Sequence, residues 1–141
     1  MKISVENHVG YLIQQIAHLS EQLYNKNLAN EDLSISHAKV IYHLYQNDGM
    51  TQSELQQDLL IKASSITKLI DVLVEKGLVQ RATSHEDARI KRIYLTDEGR
   101  KKEKNLYKIS ENTEASLLST LSESECKELI CMLKSIKSKF L

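Results

Sequence analysis

Apolar positions recur at helical intervals along most of this chain and change to strand-like runs in one stretch. Val5, Val9, Leu12, Ile16, Leu19 and Leu23 alternate spacings of four and three, which draws a narrow stripe along a helix expected over about 5–29. A stripe that narrow suits packing against another helix, in a second subunit or in the chain's own core. After the polar break Asn30-Glu31-Asp32, Ser34 caps a second helix. Its Ala38, Ile41 and Tyr45 face one way with Val40 and Leu44 adjacent, and Asn47-Asp48-Gly49 ends it. The string Thr51-Gln52-Ser53-Glu54 has the form of a capping box opening a short third helix with Leu55 and Leu59. A fourth helix, over about 63–76, gathers Ile66, Leu69, Ile70 and Leu73 on one side and stops at Gly77, where a left-handed residue is wanted.

The pattern then changes. Leu78–Thr83 and Ile90–Leu95 read as two strands flanking the polar stretch from Ser84 to Arg89, a β-hairpin. Thr96 caps a long, mostly charged helix over about 97–119, with Leu106, Ile109 and Leu117 sparse along it. Ser122-Glu123-Ser124-Glu125 is a second capping box, followed by Cys126, Leu129, Leu133, Ile136 and Phe140 at spacings of three and four. The expected fold is mainly α, about six helices with a small hairpin wing. Three short helices followed by a hairpin make a winged helix-turn-helix plan over 34–96, set within one domain spanning 1–141.

Composition supports this reading. The 141 residues are 41% hydrophobic and 27% charged, with no proline and only four glycines, which suits one helical domain and disfavours an all-β fold. No apolar run approaches the roughly 20 residues of a membrane span, and no cationic-then-apolar leader opens the chain, so a cytoplasmic protein with no membrane partner is expected. Cys126 and Cys131, five apart on one helix, point to different faces and read as small core or interface residues. The five histidines are dispersed, with no metal-ligand pairing, and no phosphate loop, nucleophile elbow or hydrolase motif is present. No enzyme, metal or cofactor is therefore expected. The zero net charge hides a gradient: residues 1–61 carry three basic and seven acidic side chains, residues 62–104 eleven and seven, and the remainder five of each. Phosphates respond to a local field, so a basic segment in a neutral chain still suits DNA.

That basic segment contains the candidate reading head. Ser64, Ser65, Thr67 and Lys68, on the polar side of the fourth helix near its start, are short or cationic groups able to approach base edges and phosphates. At this point the chain resembles the MarR family of bacterial transcriptional regulators. The resemblance rests on Thr51-Gln52-Ser53-Glu54-Leu55, the run from Leu73 to Arg81, Asp87-Ala88-Arg89 and the run from Leu95 to Gly99, which follow in order. It implies a homodimer joined through its first and last helices, residues 1–30 and 97–141. Two recognition helices would then meet a pseudo-palindromic operator on double-stranded DNA, usually as a repressor. It also implies that Arg89, at the wing tip, enters the minor groove while Asp87 shapes the wing, with Lys91 nearby. As plain surface chemistry, Asp87 is a turn cap and Arg89 a solvated charge. Arg81 has two readings, a phosphate contact or a pin holding the hairpin to the fourth helix through a carboxylate. The sequence departs from the family where Lys62 occupies the usual cap position and Ala63 one often held by proline. Lys62 cannot accept an amide hydrogen bond, which suits a helix end tied down by DNA phosphate.

The resemblance further implies a small effector, often aromatic or phenolic, bound between the dimerisation helices and the DNA-binding lobe. Tyr11, His18, Tyr42, His43 and Tyr45 are the candidates, although each taken singly reads more readily as a half-buried packing residue. A redox- or metal-responsive regulator of the same fold is an alternative, but residues 1–30 hold no cysteine of the peroxide-sensing kind. The rival from another class is a winged-helix module that binds protein. Serine and threonine where such a face would show aromatics, together with Lys68, Arg89, Lys91 and Arg92, favour DNA.

Overall fold

The computed structural model describes residues 2–141. A single 3-10 turn, Val5–Asn7, precedes α1 (Val9–Asn27), and a second, Ala29–Glu31, leads to α2 (Ile35–Gln46). There follow β1 (Met50–Thr51), α3 (Gln52–Leu59), α4 (Ala63–Glu75), β2 (Val79–Thr83), β3 (Lys91–Leu95), α5 (Asp97–Leu117) and α6 (Glu123–Ser138). The strands form an antiparallel sheet in the order β1-β3-β2, with Val79 opposite Leu95, Thr83 opposite Lys91, and Met50 opposite Ile93 on the other edge.

Local signals set most boundaries. Thr51 Oγ1 accepts from the Glu54 amide at 3.1 Å while a Glu54 carboxylate oxygen faces the Thr51 amide at 3.4 Å, and Ser122 and Glu125 do the same at 3.1 and 2.9 Å. Thr96 Oγ1 caps α5 through the Gly99 amide at 3.1 Å, and Gly77 takes the left-handed conformation, φ 74°, expected after α4. At the start of α2, the Ser34 amide donates to His37 Nδ1 at 3.1 Å, and Asn25 Oδ1 accepts from the Ile35 amide at 2.8 Å. Two expectations need correction. The first helix is not continuous from residue 5, because His8 is extended and separates the 3-10 turn from α1. The hairpin gains a third strand, because Asn47-Asp48-Gly49 both ends α2 and turns the chain so that Gly49 N–H donates to the Ile93 carbonyl at 2.9 Å.

The core lies between α2, α3, α4 and the sheet. Val40, Ile41, Leu44, Leu55, Ile70 and Ile93 are fully buried, and Leu28 enters from the connection after α1. Burial alternates along β3, where Ile93 and Leu95 point inward. α5 leaves the base of the sheet with Gly99, Glu103, Leu106 and Thr113 buried, a stripe at spacings of three, four and seven that packs against α1 and α2. Asn27 Nδ2 donates to Thr113 Oγ1 at 2.9 Å, tying α1 to α5. No residue of α1 or α6 is buried, and Val9, Leu12, Ile16 and Leu19 on α1 and Ile130, Leu133, Ile136 and Phe140 at the C-terminal end are exposed. No helix among the described residues is long and apolar enough to cross a membrane.

Candidate nucleic-acid interface

α4 is amphipathic along its length. Ile66, Ile70 and Leu73 fill the core, while Lys62, Ser64, Ser65, Thr67 and Lys68 lie exposed around its first turns. Lys62 provides no side-chain cap, so the first-turn amides of the helix point outward without a protein acceptor from that residue. Thr67 is already engaged: its hydroxyl donates to the Ala63 carbonyl at 3.1 Å and accepts from Gln52 Nε2 at 3.0 Å. Gln52 thus joins the same face from the start of α3. Sequence reasoning absorbed it into the capping box; its position beside the cap, one residue before a serine, was the only signal. Ser65 and Lys68 also border a shallow groove shared with Ser36 and His37 of α2.

The wing is shaped by a carboxylate. Asp87 Oδ1 accepts from the Arg89 amide at 2.9 Å and from Arg89 Nε at 3.2 Å, while Oδ2 accepts from Nη2 at 3.1 Å. Arg89, above all through its side chain and then through its amide, holds the Asp87 carboxyl below the usual carboxylate range. The Arg89 side chain is nonetheless 90% exposed, so the pairing aims the guanidinium without covering it. Behind the tip, Ser84 N–H donates to the Ile90 carbonyl at 2.9 Å and Lys91 Nζ to Thr83 Oγ1 at 2.8 Å, which closes the loop across the strand ends.

The basic side chains of this lobe fall into two groups. Arg81 Nη2 lies 2.5 Å from Asp71 Oδ1, so the pinning contact between hairpin and α4 is present, and it directs the guanidinium along the helix. Arg92 Nη1 donates to the Gly49 carbonyl at 3.0 Å, and Arg92 is turned into the β1–β3 junction. Lys62 and Lys68 carry no ion pair among the described residues, and Arg89 and Lys91 project from the wing.

The effector candidates scatter. A cleft of about 330 Å³ opens between the end of α1, α2 and α5, lined by Tyr24, Ile35, Tyr42, Glu103, Leu106 and Tyr107 among others. Of the five expected residues, Tyr42 alone lines it. Tyr11 and His18 lie on the exposed length of α1, well before Tyr24, and Tyr11 Oη accepts from Gln15 Nε2 at 3.0 Å. His43 turns toward α3, with Nδ1 3.9 Å from Asp58, and meets Tyr42 edge-on. Tyr45 is exposed near the end of α2. Tyr24, Glu103 and Tyr107 were not anticipated. Glu103 was visible as a carboxylate three residues before Leu106 on the apolar side of α5. Among the described residues no cluster of three or more His, Cys, Asp or Glu side chains could hold a metal.

Comparison with known proteins agrees with this geometry. The MarR family model matches residues 33–91. An HTH-type transcriptional regulator of Bacillus subtilis, YdgJ, is 28% identical over 127 residues, covering 90% of this chain and 77% of the relative. MepR of S. aureus, solved as a complex with DNA, has a TM-score of 0.85 at 28% identity, covering 98% of this chain and all of that one. A cysteine-to-serine mutant of E. coli MarR, solved with operator DNA, has a TM-score of 0.85 at 25% identity, covering 91% and 92% of the two chains. The winged lobe matched by the family model, the fold shared with these regulators and the motif blocks in their order make the chain similar to the MarR family, most specifically over residues 33–91.

Proposed function

We propose that the protein is a sequence-specific DNA-binding transcriptional regulator of the cytoplasm, acting as a homodimeric repressor of a pseudo-palindromic operator and modulated by a small molecule. The observation that carries this reading is the division of basic side chains. Arg81 and Arg92 serve the fold, while Lys62 and Lys68 stand without an ion pair among the described residues beside Ser64, Ser65 and the uncapped start of α4, and Arg89 and Lys91 stay exposed on the wing although held by Asp87 and Thr83. A helix beginning with small polar groups and open amides fits a major groove, where serine and threonine reach base edges and lysine reaches phosphate. Arg89, aimed outward by Asp87, suits the narrow minor groove of A·T-rich flanks. Thr67 and Gln52 present a joined polar pair to the same groove. Residues 34–96 act as the DNA-binding lobe. The exposed apolar stripes of α1 and α6 pair the chains through residues 1–30 and 97–141, so that two copies of α4 meet half-sites about 34–36 Å apart. The cleft lined by Tyr42 takes the effector, where it can alter how α5 meets the lobe.

The test is selection of bound sequences from a random duplex library with the purified protein, repeated across salt concentrations with the oligomeric state checked alongside. An enriched inverted repeat, bound with steep loss as salt rises, is the expected result. Absence of any salt-sensitive binding overturns it in favour of a protein-binding module.

A further inference from the structure

Most partly buried carboxylates of this chain are answered by a donor. Lys102 meets Glu31 at 2.7 Å, and Asp48 receives the Leu95 amide at 2.9 Å and Arg100 at 2.6 Å. Glu103 is the exception. It is 7% exposed, on the buried stripe of α5, and among the described residues no hydrogen bond or ion pair reaches it. No buried side-chain oxygen or nitrogen is left both sealed and unpaired, so the carboxylate oxygens open onto the cleft that Glu103 lines. A buried carboxylate without a partner is costly to keep, and such a group facing a cavity marks a ligand site.

The walls around it have one character. Tyr24, Tyr42 and Tyr107 line the same cleft, half of the six tyrosines in the chain, and Ile35 and Leu106 supply apolar surface. Tyrosine faces attract cations, and several around one carboxylate form a cage for an ammonium or a delocalised cation. Glu111 stands near the Tyr107 hydroxyl and pushes its pKa up, which places a second carboxylate at the edge. The one cation of the lining, Lys39, is exposed at the mouth, where water screens it, whereas the Glu103 charge acts inside. The volume, about 330 Å³, is that of a small-molecule site.

We propose that this cleft binds an organic cation with a compact aromatic or apolar body, its charge against Glu103 and the tyrosine faces and its body against Ile35 and Leu106. The proposal rests on the effector reading of the cleft and assigns the ligand the opposite charge to a phenolate. A phenolate or benzoate would meet a like charge at a buried point of the cleft.

Titration calorimetry on the full-length protein with benzyltrimethylammonium, benzyl alcohol and benzoate, which share one ring and differ in charge, tests it. The cation binds roughly tenfold or more tightly than the other two. Glu103→Gln, which keeps the side chain's size and removes a desolvated charge, lowers cation affinity by roughly tenfold or more and leaves benzyl alcohol unchanged. Lys39→Gln leaves cation affinity unchanged or raises it. Tighter binding of benzoate or benzyl alcohol, undiminished cation affinity in Glu103→Gln, or loss of it in Lys39→Gln overturns the proposal. Should Glu103→Gln lose its fold by circular dichroism, the Lys39→Gln result and the order of the three probes still decide. Operator affinity measured with and without the cation separates the two readings: Glu103-dependent binding that leaves DNA affinity unchanged upholds the cation site and removes the cleft from regulation.

Discussion

Asp87 gives both carboxylate oxygens to Arg89, and this pairing makes separable predictions for the two residues. If Arg89 enters the minor groove as proposed, Arg89→Ala is expected to cost about 1–3 kcal/mol of operator binding, concentrated at A·T-rich flanks. Asp87→Asn keeps the cation and loosens its aim, so fluorescence anisotropy at fixed salt should show a smaller loss. Because Arg89 lowers the Asp87 carboxyl in the fold, the contact is complete above the usual aspartate range of about 3.9 and fails as pH falls through the still lower folded value. The Arg89 amide resonance should therefore be constant through neutral pH and move only under strong acid. Glu103 has the opposite sign. Burial raises its carboxyl, so the ionised form subtracts stability at pH above the usual glutamate value of about 4.3. Thermal melts of Glu103→Gln should show a higher Tm than the parent at pH 7 and a shrinking gain toward pH 4. An unchanged Tm at pH 7 would mean that the carboxylate is hydrated through the cleft.

The elements are joined at a few tight places, and there the legibility of the sequence varies. Where the signal is local it reads directly: the two capping boxes, the Thr96 cap and the left-handed Gly77 all follow from neighbours within four residues. β1 was not legible, because two residues are too few to show a period and its pairing is fixed by Ile93, more than forty positions away. The convergence of Tyr24, Glu103 and Tyr107 is tertiary in the same sense, since no local pattern places α1 and α5 across α2. For Arg81, the sequence offers two readings, and the Asp71 contact is the one the fold contains. Exchanging the charges, Arg81→Asp with Asp71→Arg, should restore the small stability lost in either single variant, up to about 1 kcal/mol for so exposed a pair. If operator affinity also returns, Arg81 acts only through the fold. The junction of α5 with the hairpin is less tolerant. A Cβ on Gly99 would lie 2.1 Å from the Leu78 carbonyl oxygen, which accepts the Thr96 amide at 3.1 Å. Gly99→Ala must part α5 from the base of the wing and should destabilise by about 1–3 kcal/mol in urea unfolding. In the turn between α3 and α4, Leu60 holds a left-handed φ of 55° with its side chain 66% exposed. Leu60→Gly should therefore raise stability by a few tenths to about 1 kcal/mol.

At the scale of the whole molecule, the distribution of apolar surface is what a single chain fails to resolve. α1 and α6 together expose a row of large aliphatic side chains, from Val9 to Leu19 and from Ile130 to Phe140, and neither helix has a buried residue. Their spacing at three and four gives each helix one apolar edge, the pattern of helices that pack against helices, and contiguous exposed edges of this kind mark an association surface. In the proposed homodimer a second copy of the same chain would supply matching edges under two-fold symmetry, which would also set two α4 helices on one face of a duplex. The core around Ile41, Ile70 and Ile93 contains none of these edge residues. Ile16→Glu with Leu133→Glu should accordingly convert the protein to a monomer by light scattering while leaving the far-UV spectrum of the winged lobe recognisable. Operator affinity should fall roughly 10²-fold or more, because each half-site is then bound alone. Arg89→Ala, by contrast, should weaken binding with the oligomeric state unchanged. If the double variant remains a dimer, the association surface lies elsewhere; if it becomes monomeric with full affinity, one winged lobe suffices and the paired half-site geometry is wrong.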